Sequence, residues 1–361
     1  MFQPIIDLAR IQPLLDALEQ ARRDIEALEV PPALERALQR VTEARGAHMS
    51  TRIEGNPMTE EEVRAEFARP TPGTSRAELE NRDYRDAARF AYQVANDFNA
   101  DVDGGLIRAL HFLVERNTDG YGMAGRYRTE ANVVRKSGAV IYQPPPPLDV
   151  PRLMDDLVGW LRGQRGKLHP AVLAAVAHAE LVNIHPFDDG NGRTARALTK
   201  YFLERGGWHL RGFVSSEQVF GEDVEEYYAA LREFGPTYPG QGPDLTEWVI
   251  WFVRGSLAEA SAAVGIARTL FDDIRENLRS DLSLRLADGV TYLWINGAMA
   301  RGEYAQLQHV SLATASGDLR LIEGYGYARR VGQGRSTRYE STLPPFEEAL
   351  ADVRRQARET A

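Results

Sequence analysis

The sequence contains no cysteine among its 361 residues. Disulfide bonds and thiolate metal sites are therefore excluded, and the composition fits a reducing compartment. A basic surplus is also absent, because 43 lysines and arginines oppose 52 aspartates and glutamates, which gives a formal net charge of −9. Nothing in the overall charge would attract nucleic acid, so a nucleic-acid site would need a local basic patch.

Long apolar runs are missing as well. The most apolar helical stretch, residues 171–184, is interrupted by His178 and Glu180 and is too short to span a bilayer. The first residues, MFQPIIDLARIQPLL, carry an acid and prolines instead of the basic start and apolar run of a signal peptide. We therefore expect a cytoplasmic protein that does not associate with a membrane.

The remaining composition, with 43% hydrophobic and 26% charged residues, is that of an ordinary folded protein. The length favours more than one domain. Apolar residues recur at helical spacing along most of the chain, which predicts a mainly α fold. The predicted helices cover residues 5–28, 32–54, 59–68, 77–98, 103–116, 150–164, 171–184, 191–204 and 245–274.

Residues 185–196, HPFDDGNGRTAR, hold the densest group of chemically active side chains. Gly190 and Gly192 tolerate backbone conformations that a Cβ atom would forbid, so this turn can expose consecutive N–H groups. A helix is predicted to begin near Asn191. The unpaired N–H groups and the dipole at its start favour an anion.

Charged side chains surround that turn. Arg193 and Arg196 are three residues apart, so they emerge on one face of the helix and their guanidinium groups can grip a polyphosphate. Asp189 offers a carboxylate beside the phosphates, the usual way in which Mg²⁺ is held. His185 can accept a proton near neutral pH. Together they predict nucleotide chemistry, and the alternative is a plain connection between two helices with both arginines in solvent.

This stretch resembles, position for position, the Fic family signature His-Pro-Phe-x-Asp/Glu-Gly-Asn-Gly-Arg-x-x-Arg. The resemblance implies transfer of AMP from ATP to a hydroxyl side chain of a target protein. It also implies that His185 is the general base and that Asp189 is the Mg²⁺ ligand. The implied nucleotide-binding residues, which include an anion hole and the phosphate ligands, are Asp189, Gly190, Asn191, Gly192, Arg193, Thr194 and Arg196.

A second motif, STRIEGN, runs from Ser50 and lies at the end of a predicted helix. By itself it is a helix end with a C-cap glycine, although Glu54 is unfavourable with the dipole at that position. Beside the Fic signature it is similar to the inhibitory motif Ser/Thr-x-x-x-Glu-Gly/Asn. The resemblance implies that Glu54 pairs with Arg196 and hinders the γ-phosphate, while Ser50 orients the glutamate.

Two β-branched runs around a Lys-Ser-Gly turn, within residues 133–142, predict a hairpin. Alone, such a hairpin is most simply a surface feature. Beside the Fic signature it is similar to the flap of that family, an exposed strand edge on which a target segment is laid as an added strand. In that interpretation Val133 and Val134 lie on the edge that receives the target.

Residues 226–231, EYYAAL, place two tyrosines on a predicted helix. Aromatic residues at such positions usually belong to a core. The Fic family carries a similar Glu-Tyr-Tyr-x-x-Leu whose tyrosines line the adenine pocket, so both interpretations stay open for Tyr227 and Tyr228. The asparagine often found seven residues later is replaced by Gly235, which leaves the adenine contacts open as well.

Six further histidines show no metal-ligand spacing with carboxylates. Each is therefore predicted to be a surface or packing residue. They are His48, His111, His169, His178, His209 and His309.

The sequence of residues 280–345 predicts a further domain. Short elements, a helix opened by Ser311 as N-cap and a hairpin with a glycine turn follow in an order that resembles a winged helix. Gly317 stands where related domains usually place a basic residue, so a vestigial or protein-binding winged helix competes with a DNA-binding one. The hairpin itself is basic and contains Arg329, Arg330, Arg335 and Arg338.

The resulting interpretation is an N-terminal helical region with the inhibitory motif over residues 1–110, a Fic-type catalytic core over 111–275, and the winged-helix-like domain over 280–345. The predicted function is protein adenylyl transfer inhibited by Glu54. The alternatives are a DNA-binding regulator and an enzyme that removes AMP from a modified protein. ATP, Mg²⁺ and a Ser, Thr or Tyr hydroxyl of a target are the expected partners. The target and a homodimeric state stay open.

Overall fold

The computed structural model describes residues 1–28, 30, 32–97, 100–118, 122–136, 138–240, 242–277, 284–346 and 348. Within them the chain forms fourteen α-helices and five short strands, so the predicted mainly α fold with small antiparallel sheets is confirmed. The chain divides into two compact units, residues 1–22 with 41–259 and residues 23–40 with 260–361. The domain boundaries expected from the sequence stay a prediction, and the start at residue 280 lies outside the described residues.

Several of the first five helices begin after a residue whose side chain caps them. Thr59 and Ser75 each form a capping box, in which the side chain accepts the N–H of a glutamate three residues later and that glutamate accepts the N–H of the cap. Asp103 caps a further helix by accepting the Leu106 N–H at 2.7 Å. These helices are α1 (Leu8–Glu26), α2 (Pro32–Ile53), α3 (Glu60–Ala68), α4 (Arg76–Ala95) and α5 (Gly104–Glu115).

The core of the first unit is built around α7 (Pro170–Ile184) and α8 (Asn191–Arg205). Helix α7 is mostly apolar and is buried on all sides, with α6 (Val150–Gln164) and α8 packed against it. Helices α4 and α5 pack on α8. In the described part of the chain, no helix combines the length and the apolar character that crossing a membrane requires. Residues 185–190 therefore join two core helices at one end of this bundle.

The remaining elements of this part of the chain are a hairpin and three helices. Strands β1 (Val134–Lys136) and β2 (Ala139–Tyr142) pair antiparallel and form the predicted hairpin, whose turn residue Ser137 lies outside the described residues. Val133 precedes β1, so only Val134 of the two expected edge residues belongs to the strand. Three helices follow, α9 (Ser216–Gly221), α10 (Val224–Arg232) and α11 (Thr246–Asn277).

The second unit contains a small antiparallel sheet with the strand order β3-β5-β4. One of its helices begins after Ser311, whose hydroxyl accepts the Thr314 N–H at 3.1 Å, as the sequence predicts. The elements are α12 (Leu284–Asn296), β3 (Ala298–Ala300), α13 (Arg301–Leu307), α14 (Leu312–Gly324), β4 (Ala328–Val331) and β5 (Arg338–Ser341).

Candidate active site

His185 ends α7 in the left-handed conformation, with φ 50°. Its ring Nδ1 lies 3.3 Å from the carbonyl oxygen of Val182. A carbonyl oxygen can only accept, so Nδ1 carries the proton and Nε2 is left as the proton acceptor. Burial lowers the pKa of His185 to about 4. The imidazole is therefore neutral at physiological pH, which is the form that a general base requires.

Arg128 fixes the histidine from the segment that leads to the hairpin. Its Nε donates to the carbonyl of His185 at 2.8 Å, and its Nη2 donates to the carbonyl of Pro145 at 2.6 Å. The Arg128 backbone N–H also donates to the carbonyl of Pro186, at 2.9 Å. Nothing in the sequence marked this arginine, because its partners are backbone atoms that lie far from it along the chain.

The loop after His185 is held by Asn191 and His111. The Asn191 side chain donates to the Phe187 carbonyl and accepts the Phe187 N–H, both at 2.9 Å, so its amide is engaged within the loop. The His111 ring stacks on Phe187 with ring centres 3.7 Å apart. Because His111 Nδ1 accepts the Gly125 N–H at 2.8 Å, its Nε2 donates to the Asp189 carbonyl at 3.1 Å. His111 was expected to pack or face solvent, and it also supports the loop.

The start of α8 has the features of an anion site. Gly190 stands at the N-cap position with φ 69°, and no side chain caps the helix there. The first N–H groups of α8, at Asn191 and Gly192, therefore have no intrahelical partner and suit an anion. The Thr194 N–H is already bonded to the Gly190 carbonyl at 2.9 Å, and its side chain is fully buried. A contact of Thr194 with nucleotide stays a prediction.

Arg196 is completely buried and contacts the motif at the end of α2. Its Nη2 lies 2.7 Å from Glu54 Oε1 and 2.9 Å from the Ser50 carbonyl, while its Nε donates to Ser50 Oγ at 2.8 Å. Ser50 therefore contacts the arginine, whereas the sequence suggested that it orients the glutamate. Glu54 also covers Gly192, because a Cβ atom there would come within 2.4 Å of Glu54 Oε1.

Arg193 has a carboxylate partner of its own, Glu115 at the end of α5. Arg193 Nη2 lies 2.6 Å from Glu115 Oε1, and the side chains are only 5% and 6% exposed. Burial raises the pKa of Glu115, against the opposing effect of the Arg193 charge. A Cβ atom at Gly190 would come within 2.5 Å of Glu115 Oε1. The sequence showed Glu115 only as part of a helix, since it lies 78 residues before Arg193.

Asp189 is an accessible charged group of the loop, with its side chain 70% exposed. Its Oδ1 accepts the N–H of Gly190 at 2.7 Å and lies 3.7 Å from Arg193 Nη2. The described residues contain no group of three or more histidines and carboxylates able to hold a metal ion by themselves. One exposed carboxylate beside an anion site nevertheless fits Mg²⁺, which takes its other ligands from phosphates and water.

The two tyrosines of α10 occupy different environments. Tyr227 is 2% exposed, and its hydroxyl lies 3.1 Å from Nε2 of the buried His178. Tyr228 is half-buried, and burial followed by the charge of Glu54 raises its pKa to about 12. Tyr227 is therefore a core residue, and both tyrosines lie within the electrostatic reach of the site, because the charges of Arg196 and Glu54 act on the pKa of each. Contacts of either ring with adenine stay a prediction.

The hairpin is attached to the site at both ends. Before β1, the Asn132 side chain donates to the Phe187 carbonyl at 3.2 Å. At the end of β2, the Tyr142 hydroxyl donates to the Asn183 carbonyl at 2.6 Å. Val133 is 38% exposed between these anchors. The edge expected to receive a target is therefore held close to the loop that carries His185.

The chain is similar to known proteins in sequence. Residues 101–203 match the model of the Fic/DOC family. A curated relative, protein adenylyltransferase fic-1 of Caenorhabditis elegans, is 29% identical over 288 residues, which is 76% of this chain and 53% of that protein. Protein adenylyltransferase Fic of Culex quinquefasciatus is 50% identical over 66 residues, 18% of this chain and 13% of that protein. The chain thus spans about half the length of the nematode relative and much less of the mosquito one.

Solved structures share the fold. A Fic family protein from Desulfovibrio desulfuricans G20 superposes with a TM-score of 0.63 at 24% identity, and the match covers 95% of this chain and 99% of that one. A Fic-1 fragment from Caenorhabditis elegans superposes with a TM-score of 0.59 at 29% identity and covers 73% of this chain and 74% of that one. The first likeness extends over nearly the whole of both chains.

Proposed function

We propose that this chain, which belongs to the Fic/DOC family, is a protein adenylyltransferase that moves AMP from ATP to a hydroxyl side chain of a target protein. One observation carries the proposal. A neutral base, His185, stands at the start of the same short loop that ends in an uncapped helix N-terminus. This arrangement provides a proton acceptor beside an anion site, as attack of a hydroxyl on a phosphate requires.

In the proposed reaction, His185 Nε2 takes the proton of the target hydroxyl as its oxygen bonds to the α-phosphorus. The bond between the α-phosphorus and the bridging oxygen breaks, and pyrophosphate leaves. The N–H groups at the start of α8 and the Arg193 and Arg196 side chains stabilise the phosphate charge, which is the main contribution of proteins to such transfers. Mg²⁺ bound at Asp189 would neutralise charge on the leaving pyrophosphate.

The hairpin supports a role in holding the target. Strands β1 and β2 form a two-stranded sheet in the described residues, so an edge is left to pair with an added strand. A target segment laid along Val133 and Val134 would be held by main-chain hydrogen bonds with little demand on its sequence. Because Asn132 and Tyr142 anchor the hairpin, the bound hydroxyl would be kept near His185.

We further propose that Glu54 inhibits the transfer. The support is its contact of 2.7 Å with Arg196, which a terminal phosphate would otherwise use. The Glu54 carboxylate and a terminal phosphate cannot occupy the same edge of the Arg196 guanidinium. The Glu54 side chain is 35% exposed, so it can leave without opening the core.

The DNA-binding alternative is not favoured by the described residues of the second unit. Arg329 is paired with Glu340 at 2.8 Å, and Arg338 lies 3.4 Å from Glu303, so the hairpin presents less positive charge than its sequence suggests. Gly317 is exposed on α14, where a basic side chain would be needed. The winged-helix assignment and the cytoplasmic location remain parts of our proposal that rest on the sequence.

A labelling experiment tests the proposed function. Wild-type protein, the Glu54→Gly variant and the Glu54→Gly/His185→Ala variant are incubated with α-labelled ATP, Mg²⁺ and cell lysate. Labelled protein bands are expected with Glu54→Gly, and they should vanish with a chelator or with the double variant. If the folded Glu54→Gly variant binds ATP and yet labels nothing, the proposed transfer is wrong. Faster release of AMP from a labelled target by wild type than by Glu54→Gly would identify AMP removal instead.

A further inference from the structure

Glu115 is the second carboxylate that pairs with an arginine of the signature, and unlike Glu54 it is buried and has no role in the proposed reaction. We propose that Glu115 is a positioning residue for the nucleotide phosphates, because it holds the Arg193 guanidinium in place and packs against the Gly190 turn. This inference rests on the proposed nucleotide site and extends it to a residue outside the signature. The proposed role of Glu115 differs from that of an inhibitor, because its contact with Arg193 would persist while the nucleotide is bound.

Both carboxylate oxygens of Glu115 have a polar neighbour, although the contact of Oε1 is an ion pair without hydrogen-bond geometry. Oε1 lies 2.6 Å from Arg193 Nη2, and Oε2 accepts the Thr118 hydroxyl at 3.0 Å. The carboxylate also fills the space beside Gly190, where a Cβ atom would come within 2.5 Å of it. An ion pair with both side chains almost fully buried has little freedom to rearrange. Glu115 therefore determines where the Arg193 guanidinium stands.

The rest of the Arg193 guanidinium remains available to a ligand. Glu115 contacts Nη2, and an arginine has donors on three nitrogens. Arg193 Nε is buried and has no hydrogen-bond partner in the described part of the chain. A buried donor without a partner is costly, so an anion that reached it would be bound favourably. The pair with Glu115 thus leaves donors for phosphate oxygens.

The position of Glu115 in α5 indicates that its carboxylate does not move away from Arg193. It is the last residue of α5, whose Ile107, Leu110 and Val114 are completely buried. Moving Glu115 away would disturb the core of the first unit. A residue held in this way can orient a partner permanently, but it cannot act as a removable inhibitor.

Asp189 indicates what happens to Arg193 without Glu115. The Asp189 carboxylate lies 3.7 Å from Arg193 Nη2, which is also within ion-pairing distance. With the Glu115 charge removed, Arg193 is free to turn toward Asp189, because opposite charges at this distance attract. Arg193 would then withdraw from the phosphates. We therefore expect weaker binding of ATP and no change in binding of a ligand that lacks phosphates.

The test is Glu115→Gln in the Glu54→Gly background, with ATP and adenosine as probes in isothermal titration calorimetry. Glutamine keeps the shape and an acceptor oxygen but removes the charge. The dissociation constant for ATP should rise by about tenfold, since loss of the buried ion pair lets Arg193 leave the phosphates, to which its hydrogen bonds would be charge-assisted. The dissociation constant for adenosine should stay unchanged.

Glu66→Gln in the same background is the matched control. Glu66 is also fully buried and paired with an arginine, Arg69 at 2.9 Å, but it belongs to α3 and has no part in the signature loop. Its replacement should lower the melting temperature without changing ATP affinity. A double variant, Glu115→Gln/Arg193→Gln, should bind ATP no more weakly than Arg193→Gln alone, because Glu115 acts through Arg193.

Three results would overturn the positioning role. They are unchanged ATP affinity in Glu115→Gln, equal losses for ATP and adenosine, and additive losses in the double variant. Increased labelling by Glu115→Gln when Glu54 is intact would show inhibition instead and would overturn it too. A Glu54→Gly protein that binds ATP but transfers no label refutes the proposed transfer alone, because the Glu115 test measures binding.

Discussion

Two carboxylates face the signature loop in the same chemical manner. Glu54 contacts Arg196 at 2.7 Å and covers Gly192, and Glu115 contacts Arg193 at 2.6 Å and packs on Gly190. Their surroundings differ, because the Glu54 side chain is 35% exposed and that of Glu115 is 6% exposed. An ion pair between a glutamate and an arginine can therefore serve either of two purposes, depending on how the glutamate is anchored.

The anchoring follows from the local chain. Glu54 lies just beyond the end of α2 and is followed by Gly55 at φ 91°, a position that tolerates rearrangement of the chain. Glu115 ends a helix whose inner face is part of the core. Breaking a buried pair leaves an uncompensated charge and is strongly destabilising, whereas an exposed partner can be replaced by water. The first pair suits regulation, and the second suits positioning.

The largest expected effect is on the chemical step, in which neither of the two glutamates takes part. His185→Ala in the Glu54→Gly background should lower label transfer by ~10²–10⁴-fold, because a general base is lost. Binding of ATP should persist, since the arginines and the start of α8 are unchanged. Rates of label transfer and calorimetric ATP affinity provide the measurements. Transfer within about threefold of the Glu54→Gly rate would remove His185 from the role of base.

The next effect tests release of the exposed pair. Glu54→Gly should raise self-labelling and target labelling by about tenfold to a hundredfold, the usual range of a regulatory coupling, with little loss of ATP affinity. Glu54→Gln is the matched control, because it removes the charge without introducing a flexible residue. A similar gain in both variants would show that the charge inhibits. Labelling equal to or below wild type in a folded Glu54→Gly protein contradicts the inhibition.

A smaller effect is expected at Ser50. Its hydroxyl accepts from Arg196 Nε at 2.8 Å, so Ser50→Ala loosens the arginine for both Glu54 and phosphate. Labelling should rise only about threefold when Glu54 is intact, since loss of one hydrogen bond to a charged group acts on both states. In the Glu54→Gly background the same change should weaken ATP binding. Unchanged ATP affinity there would show that Ser50 acts on Glu54 alone.

The smallest effect concerns pH. The pKa of His185 is lowered to about 4 by burial, and a base works in its neutral form, so the acid limit of the reaction lies near that value. Label transfer by Glu54→Gly at ATP concentrations well below KM, where the rate reports the nucleotide-free protein, should therefore change little from about pH 8 to about pH 5.5. Circular dichroism at each pH controls for unfolding. A half-loss of rate near pH 6.5, the ordinary value for histidine, would contradict the buried neutral base.

Sequence reasoning worked best where the relevant residues are neighbours. Helices α6 and α8 begin at the expected residues because a proline near the start of one and the Gly-Asn-Gly turn before the other are local signals. It was less successful for Ser50, whose partner is Arg196 and not Glu54. The motif gave the spacing of the two residues but not the direction in which the serine side chain points.

The amino-acid sequence by itself determined the loop chemistry, because twelve consecutive residues carry the histidine, the aspartate, the glycines and both arginines, and helix periodicity places the arginines on one face. Only the tertiary structure decided which groups complete the site. Glu115, Arg128 and His111 reach the loop from 57 to 78 residues away along the chain. Their contacts depend on the packing of α5 against α8 and on backbone carbonyls, which no local pattern encodes.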